Sequence, residues 1–449
     1  MEFKISKDLI LELEQHIVNK DDAGLERLLG DMHHADIAEI LDELDFDEAT
    51  YIFKVLDSEQ TSEILLELED DLRENILKRL SAKEIAEELD ELNTDDAADI
   101  IAELSQSKKE EVISELDDLE HAKDIIDLLR YDEDTAGGLM GKELVKVNEN
   151  WSVLTCVKEM RAQAENVSRV HSIYVVDDEN RLKGRLSLKD LLTTSTKTQI
   201  SEIYIKKVTS VNVDTEDVEV ARIMQKYDLE AIPVIDELGR LAGRITIDDI
   251  IDVIRDEADK DYQLAAGITQ DIETNDSVFE LTKARLPWLL IGMFIEVIAS
   301  FVLKGNEAAF QKYSTLIIFV PLLSATAGNI GVQASAIVVQ GLANGSLKEF
   351  SRSYFSKEIA VAMISGSIIS LLLLAYHSIM YQQYLVGLAI SISMVVVILF
   401  AATLGTLVPL FLNKNKIDPA IATGPFITTA NDIFGIIIYF AVAKAILGF

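Results

Sequence analysis

After Arg285 the sequence turns apolar in five blocks, near 286–303, 314–340, 358–380, 385–412 and 420–446, none shorter than 18 residues. At ~1.5 Å of rise per residue such a block crosses the ~30 Å hydrocarbon layer as a helix. In lipid the backbone must satisfy its own polar groups, so this part reads as a five-helix transmembrane domain. Charge divides the chain at nearly the same place. Residues 276–449 hold 8 acids and 10 bases, whereas residues 1–275 hold 69 acids and 31 bases, so the two parts carry +2 and −38. A single soluble domain and uniform disorder are both excluded. A segment of −38 repels nucleic acid, so no nucleic-acid partner is expected and a cation is the natural one. The single Cys156 permits no internal disulfide and no thiolate metal cluster, in keeping with a reducing compartment. Asp8, Glu12, Glu14 and Asp21 interrupt the first 25 residues, and no cleavable signal peptide is expected.

Five spans put the ends on opposite sides of the membrane. With the N-terminus inside, the inner connectors hold Lys283, Arg285, Lys348, Arg352, Lys357, Lys414 and Lys416, against Lys304, Lys312 and Lys444 outside. Basic residues favour the cytoplasmic side, which predicts a cytoplasmic N-terminus and an outer C-terminus in a plasma or inner membrane. Within the spans, ionisable groups are few. Asp432 lies in the fifth, inside Thr428-Thr429-Ala430-Asn431-Asp432. A carboxylate at that depth faces a partner helix, through a hydrogen bond, or an aqueous path. The second span carries Pro321, Gly328, Asn329, Gly331 and Gln333, a pattern that suits either close helix packing or a pore wall. Glu296 and His377 can be read as packing or snorkelling groups. Asp432 with Asn329 suits a hard, hydrated cation such as Mg²⁺, since the ligands are oxygens and no thiolate-like or imidazole-rich set is present to favour zinc or copper.

The acidic part contains two internal repeats. Residues 37–56 match 85–104 at 11 of 20 positions, an offset of 48 within short amphipathic helices, which predicts stacked helical hairpins with acids on solvated faces. Further on, strand-like Ser172–Val176 and Ala231–Ile235 are each followed by a turn and a helix, and 176–191 parallels 235–250. At the end of each unit, Ser187/Asp190 and Thr246/Asp249 have the spacing of a helix cap and equally of a hydroxyl and carboxylate able to hold a ribose. The sequence has no Gly-rich phosphate loop with Lys-Ser/Thr, no HExxH and no nucleophile–base pair, so an enzyme is not expected.

The repeated strand–turn–helix pair resembles a tandem CBS (Bateman) module, and the whole chain resembles the MgtE family of Mg²⁺ channels. The resemblance rests on Tyr131-Asp132-Glu133-Asp134-Thr135-Ala136-Gly137-Gly138-Leu139-Met140, Arg285-Leu286-Pro287-Trp288-Leu289, Gly328-Asn329-x-Gly331-x-Gln333, Asp418-Pro419-Ala420 and Asp432-x-x-Gly435, in that order. It implies a multidomain membrane protein: an acidic α-helical superhelical N domain over 1–130, an α+β tandem CBS module over 131–252, a connecting plug helix over 253–280 and a five-helix pore domain over 281–449. It further implies a homodimer that conducts Mg²⁺ between its membrane domains, with Asp432, Asn329 and Gly328 at the ion site. Regulatory Mg²⁺ would be held by Asp95, Asp99, Asp249, Asp252, Glu257, Asp261 and Asp418, closing the pore when cytosolic Mg²⁺ is high. ATP is implied as a ligand of the CBS module, through Ser187/Asp190 or Thr246/Asp249. Against the family pattern stand Gly424 and Val332, where some members carry Asn, and Lys260, where an acid is expected. A divalent carrier of broader selectivity (Mn²⁺, Co²⁺) and a membrane-anchored nucleotide or Mg²⁺ sensor remain the alternative readings.

Overall fold

A computed structural model describes residues 5–164, 167, 169–269, 272, 277–347 and 351–448. Positions 270, 271 and 273–276 of the expected connecting helix, and Lys348 of the inner basic set, lie outside the described residues. The chain divides into two compact units, Met1–Arg255 and Asp256–Phe449.

In the first unit, helices of 8–10 residues follow one another from Asp22–Leu29 to Leu119–Leu128. Their N-caps, Asp21, His33, Asp45, Asp57, Glu69, Ser81, Asn93 and Ser105, recur every 12 residues, with Asp118 one residue later. Several caps are complete: Asp45 accepts from the Asp47 and Glu48 amides, and Ser81 forms a capping box with Glu84. Helices this short are unstable alone and persist by burying one face on a neighbour. Each packs on the next but one: His34–Asp42 on Ser58–Glu67, that on Ala82–Leu89, and that on Gln106–Glu115. Ile37, Ile40, Leu41, Ile64, Leu65, Ile85 and Leu89 are fully enclosed between them. The 48-residue sequence repeat is therefore four turns of a finer 12-residue unit, a superhelix of alternating layers.

The same unit contains two three-stranded sheets. In one, β1 (Val145–Asn148) runs parallel to β2 (Ile173–Val176), which pairs antiparallel with β3 (Leu182–Leu186). In the other, β4 (Val211–Asn212), β5 (Ala231–Ile235) and β6 (Leu241–Thr246) repeat the arrangement. The register slips at Val175/Val176 and again at the equivalent Val234/Ile235, so even the irregularity is duplicated. The two hairpins interlock, with the Leu182 amide on the Gly239 carbonyl (3.0 Å) and the Leu241 amide on that of Asn180 (2.9 Å). The Tyr131–Met140 motif and the residue after it join the second sheet region: the Gly137 amide reaches the Val213 carbonyl, and Gly141 exchanges two backbone hydrogen bonds with Arg244.

Among the described residues of the second unit, five helices are long and apolar enough to cross a membrane: Val278–Gly305, Thr315–Ala343, Arg352–Tyr381, Tyr384–Lys414 and Pro425–Leu447. The fourth packs on the second, third and fifth and is the best enclosed; the first touches mainly the fifth and leaves most of its surface open. Close approach uses small residues. Any Cβ at Gly405 would overlap the Gly331 carbonyl, and one at Gly331 would overlap the Asn431 amide. Upstream, helix Ile247–Ala266 ends at Gly267, whose φ of +81° takes the chain out of the helix, and the first span begins at Val278.

Candidate functional site

Asp432 is half-buried on the fifth span, where it meets Ser324 of the second and Glu296 of the first. The helix packing fixes these neighbours. Gly292 lies under Thr429, so one turn on, Glu296 comes level with Asp432; Gly328 lies under Thr428, so one turn back, Ser324 does. Gly328 is buried, and a Cβ there would come within 3.3 Å of Thr428 Cγ2, so its small size serves close packing. Asn329 is exposed, more than a turn along the helix from Ser324. Asn431 is 1% exposed, and its amide donates to the Ala327 carbonyl at 3.3 Å while its Oδ1 finds no partner among the described residues. The sequence leaves Glu296 readable as a packing or snorkelling group and gives no reading of Ser324; the structure sets both beside Asp432. Glu296 was the detectable one, being one of few acids within a span; Ser324 carries no signal of its own.

The sensor candidates fall into two groups, one in each unit. In the first unit, Asp95, Asp99 and Asp249 crowd together with Asp96 and Glu143. Glu143 accepts from the Thr94 amide (2.9 Å) and hydroxyl (3.1 Å), and a Cβ on the neighbouring Gly141 would meet the Asp95 carboxylate. Burial, then Asp96, Asp249 and Glu143, holds the Asp95 carboxyl well above its ordinary range, and Asp96 and Asp249 move the same way with burial as the main cause. At the edge of the group, partial dehydration and then Glu133 and Asp249 push Asp99 up to about 7. Asp252 is raised by dehydration and by Glu67, against the pull of Arg255. Such shifts mark carboxylates that are dehydrated and held near like charge, which Arg73 at Asp99, Arg244 at Asp249 and Arg255 at Asp252 offset only in part. Among the described residues no three His, Cys, Asp or Glu side chains are close enough to grip a bare metal ion as they stand. Glu143 lies 48 residues from Asp95 in sequence, and nothing in the sequence ties it there.

The second group lies in the membrane-bearing unit. Asp261 is pushed up to about 6 by burial, then by Asp418, then by Glu257. Asp418 caps the turn Pro419–Ala422 through the Ala420 amide (2.8 Å). Lys260 lies 3.8 Å from Glu257 and opposes the shift at Asp261, so it supplies part of the positive charge that this group lacks elsewhere.

The two hydroxyl–carboxylate pairs of the repeated sheets are used differently. Asp249 accepts from both the amide (2.8 Å) and the hydroxyl (2.9 Å) of Thr246, an arrangement of the capping kind. Ser187 makes no side-chain cap. With Asp190 it lines a cavity of about 400 Å³ that also presents His171, Arg185 and Lys189. Cationic side chains beside a hydroxyl–carboxylate pair suit an anionic ligand that carries a diol.

Comparison with known proteins agrees with this division of parts. A family model described as the MgtE intracellular N domain matches residues 32–134, CBS-domain models match 136–196 and 200–256, and a divalent cation transporter model matches 320–442. The magnesium transporter MgtE of Thermus thermophilus is 35% identical over 341 residues, covering 73% of this chain and 75% of that one. The Enterococcus faecalis protein of the same name is 35% identical and covers 72% of each. A crystal structure of the cytosolic domain of the Mg²⁺ channel MgtE in complex with ATP superposes with a TM-score of 0.51 at 34% identity, over 54% of this chain and 99% of that one. The sequence expectation of a helical N domain, a CBS module and a membrane domain is met by these matches together with the five apolar helices. The chain is a multi-pass membrane protein of the MgtE family, and its role is Mg²⁺ transport rather than catalysis.

Proposed function

We propose that this protein is a homodimeric, Mg²⁺-selective channel for Mg²⁺ uptake, closed from inside by cytosolic Mg²⁺. The observation that carries the reading is the meeting of Asp432, Glu296 and Ser324 on one face of the membrane unit. Glu296 is exposed on the single protomer. A carboxylate facing lipid at span depth costs at least ~2.5 kcal/mol, so that face belongs against water and a second copy rather than acyl chains. Asp432 then serves as the cation's carboxylate, with the second span around Gly328 and Asn329 completing the wall. Mg²⁺ keeps most of its hydration shell and needs few protein oxygens, which fits a path with so few ligands. Inward flow needs no chemical energy, because the membrane potential supplies ~2.3 kcal/mol per charge per 100 mV. The basic residues of the connectors orient the N-terminus to the cytosol.

Control lies with the crowded carboxylates. At low Mg²⁺, Asp95, Asp99 and Asp249 repel one another, as do Asp261, Asp418 and Glu257, with Asp252 adding to the charge of the CBS end. Hydrated Mg²⁺ bridges them through water, relieves the repulsion and shifts the population toward a compact, closed state. The functional division follows the chain: sensor over 1–130, CBS module over 131–252, connecting segment over 253–280 and pore over 281–449. ATP is assigned to the Ser187/Asp190 cavity, with Arg185 and Lys189 toward its phosphates. The Thr246/Asp249 pair is committed to its own cap and to the sensor. The test is flux of Mg²⁺ into proteoliposomes held inside-negative, with internal Mg²⁺ varied across the millimolar range. Influx that falls as internal Mg²⁺ rises is the expected result. Influx indifferent to internal Mg²⁺ removes the sensor, and absence of influx removes the channel.

A further inference from the structure

Glu296 is the charged group of the membrane unit that packing does not account for. It is exposed on the first span, the helix that leaves most of its surface open, and its carboxyl group is hydrogen-bonded to that of half-buried Asp432. The Ser324 hydroxyl donates to Asp432 from the second span. Glu296 cannot snorkel. It stands 11 residues after Arg285 and nine before Gly305, about 16 Å and about 13 Å along the helix, farther than a glutamate side chain extends. Among the described residues no Lys or Arg faces Asp432, so two like groups lie side by side at membrane depth with no fixed positive charge between them. Acyl chains cannot supply that charge, whereas a cation on an aqueous path can. Because Glu296 is exposed and Asp432 half-buried beside it, an ion moving along this face reaches the Glu296 carboxylate first.

We propose that Glu296 is a specificity-determining residue of the ion path, a second carboxylate beside Asp432 that favours doubly charged ions over singly charged ones. The inference rests on the reading of Asp432 as the pore carboxylate and adds to it how the path tells ions apart. The attraction of a carboxylate scales with the charge of the ion, so each one added draws Mg²⁺ twice as strongly as Na⁺ at the same distance. Two chains face to face present four carboxylates and two serine hydroxyls to one ion. Among the described residues no three acids or histidines form a cage for a bare ion, so this discrimination acts through the hydration shell that Mg²⁺ keeps.

The test uses the full-length protein in inside-negative proteoliposomes at low internal Mg²⁺. Two quantities are read: the external Mg²⁺ that half-saturates Mg²⁺ influx, and the external Mg²⁺ that halves Na⁺ influx. Glu296→Gln can still donate a hydrogen bond to Asp432 but carries no charge, so it separates electrostatic selection from the holding of Asp432 in place. It is expected to raise both concentrations by about tenfold, whereas Glu296→Asp, which keeps the charge, should stay within about threefold of wild type. A second reading does not depend on transport. Glu296→Cys should react with a membrane-impermeant cationic thiol reagent and react more slowly when Mg²⁺ is present; the wild-type chain, whose single Cys156 is buried, is the blank. Glu296→Gln with both concentrations unchanged, or a Cys at 296 that the reagent does not reach, overturns the proposal. Where Asp432→Asn has nevertheless lost influx, the pore reading survives that result; where Asp432→Asn conducts like wild type, both fall together.

Discussion

The two units crowd carboxylates for opposite reasons. In the first, Asp95, Asp96, Asp99, Asp249 and Glu143 belong to a surface dense in acids, and what sets them apart is that folding has brought them together and partly dried them. In the second, Asp432 and Glu296 stand almost alone in a medium hostile to charge, and they are level with each other on adjacent spans. Where water is plentiful, an acid is cheap and only its neighbours give it meaning. Where water is scarce, the acid itself is the signal. The pore group should therefore respond to loss of a single charge as a switch, and the sensor group as a dial.

The largest expected effect tests the switch. Asp432→Asn keeps the side chain's shape and removes its charge, and it should reduce Mg²⁺ influx by ~100-fold or more, since a hydrated ion at membrane depth loses one of the two carboxylates, Asp432 and Glu296, that each protomer brings together there. Thermal unfolding of the purified variant should match wild type. Influx within a few-fold of wild type would falsify the pore assignment and leave Asp432 a packing group. Next comes the dial. Asp95→Asn with Asp249→Asn should leave influx at low internal Mg²⁺ unchanged and raise the half-inhibiting concentration about tenfold. Abolished influx in this double variant would show that the two groups are not separable in the way the comparison holds.

Acidity probes the sensor without mutation. Asp99 is pushed up to about 7 and Asp95, Asp96 and Asp249 are raised in the folded state. A raised acid binds protons more readily folded than unfolded. Stability conferred by that proton is present below the folded pKa and is lost as pH rises through it, so stability falls as pH rises from about 4 to about 7. In Mg²⁺-free buffer the thermal midpoint of the first unit's transition should therefore be higher at pH 5.5 than at pH 7.5. Millimolar Mg²⁺ should flatten that dependence by supplying at pH 7.5 the positive charge that protons supply at 5.5. A midpoint that rises with pH, or a slope untouched by Mg²⁺, breaks the link between crowding and sensing.

The sequence made the membrane unit easy to read because hydrocarbon imposes length and apolarity directly; the five blocks and Asp432 stand out without any tertiary information. The partners of Asp432 did not stand out, because helix register brings Glu296 and Ser324 beside it. In the first unit, periodic Leu and Ile positions announce helices, and the 48-residue echo announces a repeat. The finer 12-residue unit was hidden because the residue at the N-cap position varies among His, Asp, Glu, Ser and Asn, and only some of them, such as His33, Asp45 and Ser81, cap through the side chain. The joining of Glu143 to Thr94 is a tertiary event across domains, beyond any local pattern.

Two smaller effects sharpen the contrast. Lys260→Gln removes the cation beside Glu257 and Asp261. It should lower the half-inhibiting Mg²⁺ concentration by about threefold, the size of a partly screened surface interaction. An increase instead would assign Lys260 a role in holding the helix.

Glu88 offers the cleanest separation of burial from sensing. It is 9% exposed, accepts a 2.7 Å hydrogen bond from the Thr61 hydroxyl and is pushed up to about 7, by burial before any neighbouring charge. It thus shares the sensor's shifted acidity, yet its burial between stacked helices outweighs its acidic neighbours Glu87, Glu91 and Asp57. Gln at this position keeps an oxygen for Thr61 and removes the cost of ionising in a dry site. Glu88→Gln should stabilise the first unit at pH 8 by on the order of 1 kcal/mol, a gain that shrinks as pH falls below about 7 and vanishes only below about 4.5, where Glu88 is protonated in the unfolded chain as well. The half-inhibiting Mg²⁺ concentration should not move. If it does, dryness alone is enough to couple an acid to the gate, and the distinction between a crowded carboxylate and a merely buried one no longer holds in this protein.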